Sequence, residues 1–142
     1  MSGISWQSRA REPLDRGAVA VEFALLLPLL LLIIFGVIDF GRAFNAQITI
    51  TQAAREGARL EALGQPNVVS RTQAAATGLS NVAVTIVSAC PANAGPSVNA
   101  EVQVSYDFTF ATPIGAIASF FGVTGPGSPI TLTAQGVMPC ET

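Results

Sequence analysis

The 142-residue chain has no lysine and no histidine, and only 11% of its residues are charged. Soluble domains typically carry roughly 25%. Without imidazole, metal centres built on histidine and catalytic triads that use it as a base are excluded. All seven basic residues are arginine, a usage that reads as codon bias and not as chemistry. The formal net charge of -2 points to no special partner, and no nucleic-acid contact is expected. There is no glycine-rich phosphate loop and no metal-ligand spacing, and no nucleophile stands beside a base in a known motif. No catalytic residue, cofactor or metal is expected, so an enzyme on a membrane anchor is the weakest function class.

What the chain does have is grease in one place. Half of its residues are hydrophobic, and the mean hydropathy is +0.52. From Ala18 to Ile38 the only ionisable residue is Glu22. That is about 21 residues, enough for a helix to cross a bilayer core and more than a small soluble core can cover. Pro28 inside the run removes a backbone hydrogen bond and predicts a bend, which membrane helices tolerate. Residues 1–16 are polar and read as an irregular leader. Orientation is weakly marked, since Arg9, Arg11 and Arg16 before the span balance Arg42, Arg55 and Arg59 after it. Cys90 and Cys140 are the only cysteines. A single pair fits one disulfide in an oxidising, extracytoplasmic C-terminal region, though two buried free thiols also fit.

The helix is predicted to continue past the span to about Leu63, where Gly64 and then Pro66 give a stop signal. Ala53 and Gly57, and Ala54, Ala58 and Ala62, recur every four residues. Such spacing allows close helix approach, or it reflects alanine as a helix former. Residues 67–80 predict a short second helix with Val68, Val69, Ala75 and Leu79 on its apolar side. Residues 81–88 are rich in β-branched side chains and predict a strand. In 98–110, Val98, Ala100, Val102, Val104, Tyr106, Phe108 and Phe110 alternate with polar residues, which predicts a strand with one buried and one wet face. A third strand follows at 130–138, with Ile130, Leu132 and Ala134 on one face.

The predicted fold class is therefore α+β. It has a long N-terminal helix whose first half is transmembrane, a short second helix, and a small antiparallel sheet of about three strands on the helix's exposed half. The expected divisions are a leader at 1–17, a transmembrane helix at 18–40, its extracytoplasmic continuation at 41–64, and a small domain at 65–142. In a meander, Cys90 and Cys140 fall at the same end of the sheet. A bridge there would close a loop of about 50 residues, worth up to roughly 4 kcal/mol by chain entropy.

The stretch RGAVAVEFALLLPLLLLIIFGVIDFGRAF, followed by QAAREGAR, resembles the TadE-like family, the minor pilins or pseudopilins of the Tad (Flp) pilus and secretion system. The carrying features occur in order. A glycine ends a short basic leader. A glutamate follows five residues later, with an aromatic after it. A hydrophobic helix contains proline, and Asp-Phe-Gly-Arg marks its exit. The resemblance covers about a third of the chain, and the sheet region is much less diagnostic. It implies cleavage by a membrane prepilin peptidase between Gly17 and Ala18, making Glu22 the fifth mature residue and Phe23 the sixth. It also implies other pilin subunits and the Tad assembly platform as partners, with the N-terminus cytoplasmic and the C-terminal domain outside.

Two roles for Glu22 follow. It lies about 6 Å along a helix from Ala18, so it can answer a newly made amine, its own or a neighbouring subunit's. Alternatively it is a solvated acid at the membrane surface. Asp39 and Arg42, three apart, either pair on one helix face or serve as plain interfacial anchors. The competing function class is a signal-anchored envelope protein that binds a partner without polymerising. An ordinary secretory signal fits poorly, because the apolar run is too long. The apolar stretch Pro113–Val123 is the candidate contact surface of the small domain.

Overall fold

The computed structural model describes residues 14–93, 95–113, 115, 116, 119, 122 and 128–141. Five elements follow in order: α1 (Leu14–Ala62), α2 (Val68–Ala75), β1 (Ala83–Ser88), β2 (Asn99–Phe108) and β3 (Ile130–Pro139). The fold class is α+β, with a long apolar helix, a short second helix and a three-stranded antiparallel sheet in the order β1-β2-β3.

At 1.5 Å per residue α1 is about 74 Å long. It passes through Pro28 without a break. It begins at Leu14, so residues 14–16 are helical where the sequence predicted irregular chain. Between Leu14 and Ala18 only Gly17 weakens a helix, and Pro13 stands just before it in sequence, where proline suits a helix start. The rest of the predicted leader lies outside the described residues. The other end is a Schellman stop. Gly64 adopts φ 60°, its N–H donates to the Glu61 carbonyl at 3.0 Å, and the Gln65 N–H donates to Leu60 at 2.9 Å. This geometry needs a left-handed residue, which glycine adopts without strain.

The core lies between the second half of α1 and the sheet. Ile50, Ala53 and Ala54 are buried against Val82, Ala76 and Val104. The small side chains of α1 therefore bring the helix down onto its own domain, against both the sheet and α2. Two glycines set how close the layers come. A Cβ at Gly57 would meet the Thr72 side chain and Val102. A Cβ at Gly136 on β3 would fall inside the Ala54 carbonyl group, so any side chain there forces helix and strand apart.

The strands meet their predicted pattern in the middle and depart from it at the ends. On β2, Ala100, Val102, Val104 and Phe108 are buried, while Val98, Tyr106 and Phe110 are half-buried. On β3, Leu132 and Ala134 are half-buried and Ile130 is exposed. The α2 face needs a correction. Val69 is exposed, and Thr72 takes the inward position four residues after Val68. Positions four apart share a helix face, whereas adjacent ones do not. Among the described residues, the buried Thr72 hydroxyl has no hydrogen-bond partner.

Cys90 and Cys140 form a disulfide with their Cα atoms 5.8 Å apart. It joins the exits of β1 and β3 at one end of the sheet. Beside it, the Glu141 N–H donates to the Ala62 carbonyl at 3.0 Å. The C-terminus is thus fixed to the last turn of α1.

Candidate assembly site on the long helix

The two halves of α1 have different surroundings. The helix is long and apolar enough to cross a membrane, and its most apolar 18-residue window has a mean hydropathy of 2.8 with none of it buried. Val19, Phe23, Leu25, Leu30 and Val37 are each at least half exposed. No other part of the described chain covers this half.

Gly17 and Ala18 lie within α1 and are exposed. A side chain at Gly17 would meet nothing within 4 Å. Packing within the chain therefore does not require a glycine there. Glu22 and Phe23 lie one turn further on, both exposed. Among the described residues Glu22 has no ion-pair partner. The structure thus places Gly17, Ala18, Glu22 and Phe23 together at one end of an uncovered apolar rod. Cys90 and Cys140 lie at the far end of the molecule, beyond Ala62.

Where the apolar run ends, the structure holds a junction that the sequence did not reveal. Asp39 has a side chain only 1% exposed. It accepts hydrogen bonds from the Ala111 N–H at 3.1 Å and the Thr112 N–H at 3.3 Å, and from the Thr112 hydroxyl. The Arg42 guanidinium pairs with it at 3.1 Å. So the neighbour pairing of Asp39 and Arg42 forms, and a tether to the segment after β2 is added to it. Four donors around one carboxylate compensate its loss of water. Arg42 also lies over the Phe108 ring, 5.3 Å from its centroid, and Phe108 meets Phe110 edge-on at 5.5 Å. The junction holds the sheet domain against the helix where the apolar run ends. Most of the predicted contact surface, Pro113–Val123, lies outside the described residues.

Beside this junction a groove of about 450 Å³ runs between α1 and the start of β3. Gly36, Phe40 and Phe44 form one wall, and Phe110, Ile130 and Leu132 the other. Phe40 and Phe44 are in ring contact at 5.2 Å and remain largely exposed. Among the described residues, no three metal-ligating side chains come together.

A family model for the TadE-like protein matches residues 17–59. This segment is TadE-like. The match begins at Gly17 and takes in Glu22, the whole apolar run, the Asp39–Arg42 junction and the alanine-rich turns on the core. The similarity is to that family over this segment alone, under a third of the chain. The TadE-like segment thus contains both the uncovered rod and the turns that carry the sheet, while α2 and all three strands lie outside it. Comparison with curated proteins and with solved structures found no match.

Proposed function

We propose that the protein is a minor pilin or pseudopilin that a prepilin peptidase cuts between Gly17 and Ala18 and that then takes part in assembling a Tad pilus. In this reading residues 1–17 are a cytoplasmic leader and 18–40 span the membrane. Residues 41–64 continue the helix outside, and 65–142 form the extracytoplasmic domain. The carrying observation is an apolar half-helix that the described residues leave bare, with a single acid, unpartnered among those residues, one turn from the proposed cut.

The chemistry favours this over a passive anchor. A lipid anchor needs apolar residues and gains nothing from an acid, which costs about 2.5–3.5 kcal/mol when placed mid-membrane. Cleavage changes the balance. It creates a positive α-amino group at Ala18 and frees the first-turn N–H groups of a helix, whose positive end favours a nearby carboxylate. Glu22 is placed to pair with the Ala18 amine of an adjacent subunit, where packed helices replace lipid. Removing one partner from such a desolvated pair is costly. Phe23 supplies the neighbouring apolar contact. An exposed Gly17 that packs against nothing in the chain supports a requirement imposed by a protease, since glycine leaves the backbone open to approach.

The N-terminal residue of protein isolated from membranes tests the reading. Ala18 is expected. An intact Met1, or a start beyond Arg42, contradicts it. Gly17→Arg should leave a heavier, membrane-bound form, and normal maturation of that variant would sink the proposal. Glu22→Ala should be processed normally and yet fail to enter pili. Wild-type incorporation would show that the acid pairs with nothing.

A further inference from the structure

We propose that the groove between α1 and the start of β3 is a binding site for a phospholipid acyl chain, so that the sheet domain sits with its base in the bilayer surface. This rests on the reading that residues 18–40 span a membrane, with the apolar run at 18–38 in its hydrocarbon core.

The argument starts from lengths. Ala18–Ile38 rises about 31 Å as a helix, which matches a hydrocarbon core of about 30 Å. With that stretch in register, Gly36 lies about 3 Å inside the hydrocarbon edge and Phe44 about 9 Å beyond it. Each headgroup layer is about 5–8 Å thick. The groove, lined on the helix from Gly36 to Gln47, therefore opens below the hydrocarbon edge, and its inner part, to Ala43, stays within the headgroup layer. An acyl chain enters it without crossing water. Phe40 and Phe44 stand at the level where aromatic residues are enriched in membrane proteins.

The lining supports the same occupant. Phe110, Ile130 and Leu132 close the far side. Ile130 is exposed although it begins a strand whose later inward positions are covered. The two polar residues of the lining are both engaged elsewhere. The Asp39 carboxylate is taken up by Ala111, Thr112 and Arg42. The Gln47 side-chain amide donates to the Thr133 carbonyl at 3.0 Å. The groove thus offers an incoming group no free charge and, among its side chains, only the Gln47 carbonyl oxygen to pair with, which suits a hydrocarbon chain better than a peptide. The bare face of α1 also continues into it without a polar step, through Leu32, Ile33, Val37 and Phe40.

The test uses the full chain in phosphatidylcholine vesicles whose acyl chains carry bromines either near the headgroup or near the chain end. Trp6 is the only tryptophan, so Trp6→Phe gives a silent background. Phe44→Trp and Ile130→Trp report on the groove, Leu30→Trp on the span, and Gln103→Trp on the wet face of the sheet. In vesicles brominated near the headgroup, the two groove reporters are expected to lose roughly half or more of their emission, as for side chains set a few ångströms into the interface. Gln103→Trp should be unchanged. If both groove reporters stay as bright as Gln103→Trp while Leu30→Trp is quenched, the proposal is overturned and the span stands. Blue-shifted but unquenched emission gives the groove to a second copy or another protein, and equally overturns it. If Leu30→Trp is also unquenched, the spanning reading falls together with the proposal. Pilus formation does not enter the readout, so failure to polymerise leaves this result unaffected.

Discussion

The two halves of α1 belong to one unbroken helix, yet one leaves large apolar side chains bare and the other buries mostly alanines. The first half carries the large side chains, and Leu25, Leu30 and Val37 stand in the open. The second half is built from alanines, and Ala53, Ala54 and Ala58 are fully buried. Greasiness therefore does not locate the core of this protein. Close approach does, because a small side chain lets a helix come near a sheet while a large one holds it off. The first half is apolar toward an outside solvent, the second toward its own domain.

The most direct way to break this contrast is to truncate one side chain in each half. Ile50→Ala should cost about 3 kcal/mol of unfolding free energy, since the residue is wholly buried and leaves a cavity. Leu25→Ala removes a similar side chain from the bare half and should leave the denaturant midpoint of the sheet domain unchanged in detergent micelles. Equal losses at the two sites would mean that the first half packs on the domain after all.

Asp39 lies at the boundary and tests how the halves are coupled. Asp39→Ala should cost about 2 kcal/mol, because it leaves two backbone N–H groups and a guanidinium without their acceptor. Hydrogen exchange at the Ala111 and Thr112 amides should accelerate, while exchange in β2 at Val102 and Val104 slows or speeds only with global stability. Unchanged protection at Ala111 would dismiss the tether.

The smallest effect sharpens the picture of the packed half. Thr72→Val replaces a buried hydroxyl that has no partner among the described residues with a methyl of similar size. A gain of about 1 kcal/mol is expected in equilibrium unfolding. A loss would show that the hydroxyl is bonded in solution.

Much of this was legible in the sequence, for physical reasons. The long apolar helix follows from length and composition, and β2 from strict alternation in its centre. The stop at Gly64 follows from glycine and proline in the right order. Those signals are local. The departures occur where a neighbour distant in sequence decides the outcome. Thr72 faces inward because Gly57 leaves room for it, which no periodicity on α2 can report. Ile130 continues an inward pattern but reaches past the edge of the sheet's cover. Asp39 gave only its partner three residues away. Its other contacts come from Ala111 and Thr112, more than seventy residues on, and one sequence carries no mark of that meeting. For Gly17, Ala18, Glu22 and Phe23 the motif order was readable, and the structure adds that they stand uncovered.

The disulfide has a mechanical consequence. It closes the chain between Cys90 and Cys140, a separation of 50 residues. Fully extended, that length would span about 170 Å. A pull on the domain cannot pay out any of this slack while the bond is intact, even if β2 and β3 come apart. Tension applied at the sheet's tied end bypasses the loop and passes through Glu141 and Ala62 into the end of α1. The closed loop is then inextensible under load, while α2 and β1, which join it to the 49-residue rod, lie outside the bond.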